Sequence, residues 1–198
     1  SYNYAVTSMN YTLIEINPSS CWFFNGTGNN TITCGQNITA SLTGNQGSNT
    51  WIVYANDSAG NLNWSSVTFF VDTLAPYGYK IQPVNASTTT NLNISFRFNA
   101  TDNASLANAT LYVWNLTTLM GTNFTKLGNS SIFTNLSFTL PREGTYFWNY
   151  LAYDNSSNFD FNNTNFTLTF SLQLDTTPPS INIVFPLNVS YNTNVSIL

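Results

Sequence analysis

Apolar and polar residues alternate along much of the chain. Leu92, Ile94, Phe96, Phe98 and Ala100 are interleaved with Asn91, Asn93, Ser95, Arg97 and Asn99. Farther on, Phe166, Leu168, Phe170, Leu172 and Leu174 are interleaved with Thr167, Thr169, Ser171, Gln173 and Asp175. A period of two sends successive side chains to opposite faces of a strand, so each run predicts one buried and one wet face. In Val67-Thr-Phe-Phe-Val71 the same rule turns Val67, Phe69 and Val71 inward and Phe70 outward. No stretch carries a helical period. Short alternating runs punctuated by turn residues predict an all-β fold of antiparallel sandwich units, about 100 residues each.

The pattern repeats. Asn49-Thr-Trp-Ile-Val-Tyr-Ala-Asn-Asp-Ser-Ala-Gly-Asn61 matches Tyr146-Phe-Trp-Asn-Tyr-Leu-Ala-Tyr-Asp-Asn-Ser-Ser-Asn158, pairing Trp51 with Trp148, Ala55 with Ala152, Asp57 with Asp154 and Asn61 with Asn158. Val71-Asp-Thr-Leu-Ala-Pro76 matches Leu174-Asp-Thr-Thr-Pro-Pro179, and Pro83-Val-Asn-Ala-Ser87 matches Pro186-Leu-Asn-Val-Ser190. The offset is 97 at the tryptophans and 103 at the prolines, so the second copy carries a longer segment between Asn158 and Asp175 than the first carries between Asn61 and Asp72. Self-similarity at such a period marks tandem modules.

Three segments follow: residues 1–73, a sandwich unit lacking its first strand; residues 74–176, a complete unit; and residues 177–198, the opening strand or strands of a further unit. Joined to residues 1–73 of an adjacent copy, 177–198 would make a nearly full domain. The join would fall in a strand running from Asn194–Leu198 into Ser1–Val6, with the alternation slipping by one residue. An open sandwich edge exposes apolar core and unpaired backbone. Ile181, Ile183, Phe185, Val195 and Ile197 are therefore expected to form the contact with the next copy, either inside one covalent repeat array or as a donated strand. Ser1 and Leu198 read as cut or processed ends.

Charge is scarce, at 6% of residues against about 25% in an ordinary soluble chain. A 16% aromatic content supplies cores and argues against disorder. The net charge is −4 and no basic patch exists, so the electrostatic footprint of nucleic-acid binding is missing. No apolar run approaches the ~18 residues a spanning helix needs.

Polarity comes instead from 32 Asn and from 49 Ser and Thr. Asn-x-Ser/Thr occurs 20 times where random placement would give about eight. The sequon asparagines are Asn10, Asn25, Asn29, Asn37, Asn56, Asn63, Asn85, Asn93, Asn99, Asn103, Asn108, Asn115, Asn123, Asn129, Asn135, Asn155, Asn162, Asn165, Asn188 and Asn194. Used sequons are surface positions of secreted proteins, and sugar would supply the hydration that so few charges leave wanting. Covalent N-linked glycans are thus expected, and no other cofactor. Cys21 and Cys34 flank the turn-rich Asn25-Gly-Thr-Gly-Asn-Asn30 as hairpin partners would, which predicts a structural disulfide and an oxidising compartment.

Ser20-Cys-Trp22 through Thr33-Cys34, then Trp51–Asn61, then Ser66–Thr73 resemble the tandem immunoglobulin-like repeats of large archaeal and bacterial surface proteins. The resemblance runs along nearly the whole chain, most sharply over residues 20–76 and 146–198. It implies a β-sandwich, secretion, and an architectural or adhesive role without catalytic residues. The second unit departs from the pattern: it has no cysteine pair, and Asn155-Ser-Ser-Asn158 replaces Ser58-Ala-Gly-Asn61.

Candidate chemistry is thin. With no His, a Ser or Cys nucleophile lacks its usual base, and nothing sets two acids at glycosidase spacing. Asp57/Asp154 and Asp72/Asp175 recur at equivalent positions, as turn-forming residues do. Carboxylates near turns also suit calcium at a domain junction, but no Asp run accompanies them, so no metal site is assigned. Phe70 and Trp64 are expected to face a neighbouring domain or partner. The sequence therefore points to a non-enzymatic structural repeat of a glycosylated extracellular filament or cell-surface layer, its partners identical copies joined head to tail. A surface adhesin or a carbohydrate-binding accessory module is the alternative.

Overall fold

A computed structural model describes residues 1–172 and 176–185. Leu174, Asp175, Asn188, Asn194, Val195 and Ile197 lie outside the described residues. The described chain is all-β and contains no helix.

The first unit contains β1 (Pro18–Phe24), β2 (Asn29–Ile32), β3 (Gly47–Asp57) and β4 (Leu62–Val71), in one antiparallel sheet ordered β2-β1-β3-β4. The second contains β5 (Tyr77–Gln82), β6 (Ser87–Thr89), β7 (Asn93–Thr101), β8 (Leu106–Asn115), β9 (Thr118–Lys126), β10 (Ser131–Thr139), β11 (Gly144–Asp154), β12 (Phe159–Phe161) and β13 (Phe166–Phe170). These build two sheets, β10-β7-β5 and β6-β13-β11-β8-β9, with β12 beside β11.

The two sheets of the second unit pack as a sandwich. The predicted inward residues of β7, Ile94, Phe96, Phe98 and Ala100, are buried against Leu111, Val113, Trp148, Tyr150 and Leu168 of the other sheet. Aromatic pairs set the interlayer fit: Phe96 meets Trp148 edge-on at 5.1 Å, and Phe98 stacks on Tyr150 at 4.3 Å. Such pairs add to what their buried area contributes. The alternation fades at the strand ends, where Leu92 and Leu172 are exposed.

Register shows how the units correspond. Trp51 pairs across to Val67 and Trp148 to Phe166, so β4 of the first unit occupies the place of β13 in the second. β4 runs unbroken beside β3, whereas its counterpart is split into β12 and β13 by residues 162–165, which stand where β4 has only Ser65 and Ser66; this supplies two of the six extra residues, and the other four come after Phe170 in the sequence. Ser1–Val6 holds an isolated bridge and no strand in the single chain, and Asn194–Leu198, expected to continue into it across copies, lies outside the described residues. Tyr2 makes a single parallel bridge to Val71, in the place where β6 runs parallel to β13, and Met9 bridges Ile38 where β7 pairs with β10. A small core of Phe23, Ile38, Leu42, Trp51 and Val53 results. Among the described residues of the first unit, nothing corresponds to β5.

Cys21 and Cys34 are joined, with Cα atoms 5.2 Å apart. They are not directly opposed: Cys21 faces Ile32, and Cys34 lies two residues beyond it on the same side of the hairpin.

Candidate functional site

In the second unit β5 pairs with β7 and closes the sandwich edge. Its inward positions are Gly78 and Lys80, both buried. Gly78 lies so close to Tyr150 that a Cβ would stand 2.5 Å from the phenol oxygen. Lys80 extends over the Phe166 ring, with Nζ 4.8 Å from its centroid. Its ammonium donates to Asn149 Oδ1 at 3.3 Å, Asn162 Oδ1 at 2.7 Å and the Thr164 carbonyl at 2.6 Å. Burial lowers the Lys80 pKa to about 8, and the Asp160 carboxylate opposes the shift.

The residues equivalent to Tyr150 and Phe166 in the first unit are Val53 and Val67. There no strand closes the edge among the described residues. A groove of about 450 Å³ runs between residues 9–13 and the β3–β4 hairpin, with Val53, Val67 and Trp64 in its wall. Val67, assigned inward by alternation, is 44% exposed, because its sheet has no opposing strand at that point among the described residues. This corrects the sequence expectation for Val67. Trp64 is exposed at the groove edge, and Phe70 is exposed as its parity requires.

At an offset of 103, Gly78 and Lys80 become Ile181 and Ile183. Both isoleucines are solvent-exposed, at 85% and 74%, and Phe185 is exposed too. The described tail, residues 176–185, forms no strand and does not cover Val67 of its own chain.

Eighteen of the sequon asparagines lie in the described residues, and seventeen are exposed or half-buried. Several accept a backbone hydrogen bond at Oδ1, which leaves that bond clear of Nδ2, the atom a glycan takes: Asn25 accepts from Thr27, Asn37 from Tyr11, Asn56 from Ser20 and Asn85 from Thr167. Asn99 is the exception. It lies on the outer face of β7 as alternation requires, but it is only 9% exposed. Its cross-strand neighbours, Tyr79 on β5 and Phe133 on β10, flank it on both sides. The expected wet-face exposure of Asn99 is corrected accordingly.

The repeated turns are built alike. Asp57 accepts from the Ala59 and Asn61 backbone and from the Asn61 amide, and Asp154 does the same with Ser156 and Asn158. The Asn61 amide holds the Asp57 carboxyl below the usual carboxylate range. In the second unit Asn158 Nδ2 also donates to the Asp72 carbonyl at 2.8 Å, tying the linker down. The fold then brings Asp72, Asp102 and Asp154 together. Sequence pairing placed Asp154 with Asp57 and Asp72 with Asp175, and the three-way convergence was invisible because it crosses units.

No family model matches the chain, and no curated protein sequence matches it. Among solved structures, the chain is similar to fibronectin(III)-like modules of CbhA from Clostridium thermocellum, with 14% identity, 92% of each chain covered and a TM-score of 0.38. It is also similar to a DUF3823 family protein from Bacteroides ovatus ATCC 8483, with 13% identity, 78% of this chain and 89% of that one covered, and a TM-score of 0.35.

Proposed function

We propose that this chain is a structural repeat of a glycosylated extracellular filament or cell-surface layer, in which residues 177–198 complete the first unit of the next copy. One observation carries the reading: a groove at Val53 and Val67 matches, position for position, two exposed isoleucines on a segment equivalent to β5. The chemistry of the match is complementary. Lys80 suits the second unit because Asn149, Asn162 and Thr164 accept its protons. The first unit has only Ser65 and Ser66 where the second has residues 162–165, and its groove wall carries Val53 and Val67, so an isoleucine suits it better. A strand added to an open sheet edge gains backbone hydrogen bonds along its length and specificity from alternate side chains. Such a contact is head to tail, and it propagates as a fibre unless the rotation closes. The exposed sequons support a coat of N-linked sugar, and the Cys21–Cys34 bond supports an oxidising compartment.

Native material denatured under reduction, followed by intact-mass measurement, tests the reading. Chains near 22 kDa plus sugar, from material that was polymeric before denaturation, mean donated strands. A very large polypeptide means a covalent array. Material that is monomeric before denaturation and carries a bare 22 kDa chain would overturn both the assembly and the glycan coat.

A further inference from the structure

Three strand ends meet where the two units join. Asp72 follows β4 of the first unit, Asp102 follows β7 of the second, and Asp154 closes β11. Each offers a carboxylate oxygen, and these oxygens lie within 4.8 Å of one another. We infer that Asp72, Asp102 and Asp154 form a binding site for a calcium-like divalent cation that fixes the linker to the second unit.

Buried oxygens without hydrogen-bond partners accompany the cluster. Asp72 is 0% exposed; its Oδ1 accepts from Leu74 N at 3.4 Å, and its Oδ2 accepts nothing. Asp102 repeats the arrangement: Oδ1 accepts from Ala104 N at 2.8 Å, and Oδ2 is buried and unpartnered. Buried carboxylate oxygens ordinarily have partners. Here two lack one, on the same two carboxylates that converge with Asp154. Among the described residues the donors to the three side chains are backbone N–H groups and the Asn158 amide, and no cationic side chain offsets the charge. Burial pushes the Asp102 carboxyl above the usual range, and the carboxylates of Asp72 and Asp154 add to the shift. A cation placed among the oxygens relieves the repulsion and occupies the unpartnered lone pairs.

The donor set selects the cation. It is all oxygen, the chain has no His, and both cysteines are bonded to each other, so softer transition metals find no nitrogen or thiolate. Calcium accepts irregular oxygen cages of six to eight ligands, whereas magnesium demands a near-octahedral shell and keeps its waters. A site walled by the fully buried Asp72 favours the cation that sheds water more readily.

The test uses the 198-residue chain stripped with a chelator, then titrated with calcium alone in a calorimeter and by thermal unfolding. Expected are one calcium bound per chain, a higher midpoint with calcium than with magnesium, and slower protease cleavage at Thr73–Ala75 when calcium is present. Asp102→Asn keeps the shape and removes a charge; it should abolish the calcium-dependent shift, as should Asp72→Asn if the first variant folds poorly. No calcium heat and no midpoint shift in the stripped wild-type chain would overturn the inference. So would an undiminished shift in a folded Asp102→Asn variant.

Discussion

Replacing Ile183 by Lys makes the tail identical to β5 at its central inward position, yet it should abolish assembly. The Ile183 side chain is about three-quarters exposed in the single chain. Burying it against Val53 and Val67 is worth roughly 1.5–2 kcal/mol on transfer energetics. The substitution forfeits that gain and buries an ammonium besides. In the second unit the ammonium of Lys80 is met by Asn149, Asn162 and Thr164. In the first unit Ile52 stands where Asn149 stands, and only Ser65 and Ser66 span the place of residues 162–165. An uncompensated buried charge costs several kcal/mol. The combined loss of at least ~3 kcal/mol weakens the contact about 100-fold or more. Sedimentation velocity on chains of one 198-residue unit, across a dilution series, reads this directly. A Lys variant that polymerises over the same concentration range as wild type would refute the match between tail and groove.

Other expectations concern stability. Phe98→Ala empties a fully buried site stacked on Tyr150, and it should destabilise the second unit by about 3–5 kcal/mol, seen as a lower thermal midpoint with the first unit unaffected. Reducing Cys21–Cys34, thirteen residues apart in sequence, should cost the first unit about 3 kcal/mol on the chain-entropy model, measured by denaturant titration with and without reductant. Because the folded pKa of Lys80 is lowered to about 8 from its ordinary 10.5, the native state binds fewer protons than the unfolded state between those values. Stability of the second unit should therefore rise as pH goes from 8 towards 10. Thermal scans should show that rise in the wild type and lose it in Lys80→Met.

Much of the fold was legible, because a period of two is a local signal. The run from Ile94 to Ala100 declared its buried face without reference to any partner, and the matched tryptophans declared the repeat. What failed was whatever depends on the neighbouring strand. Val67 has inward parity but little cover, since burial requires an opposing layer. Asn99 has outward parity but is hemmed by Tyr79 and Phe133, which sit beside it only once β5 and β10 are in register. Lys80 would be judged a surface residue from sequence; it turns inward because its three acceptors lie 69 to 84 residues away. The carboxylate cluster was hidden for the same reason. Asp72, Asp102 and Asp154 are far apart in the chain and are gathered only by the ends of three strands in two units.

The most direct test of the head-to-tail account is a cross-link between the two surfaces it brings together. A chain carrying both Val67→Cys and Ile183→Cys should be assembled, oxidised mildly, and run under denaturing, non-reducing conditions. In the second unit the equivalent side chains are in contact, Lys80 lying over Phe166. The account predicts a ladder at multiples of 22 kDa, with mapped peptides joining position 67 of one chain to position 183 of another. A single band at 22 kDa, with the two positions linked within one chain or not linked at all, would contradict it.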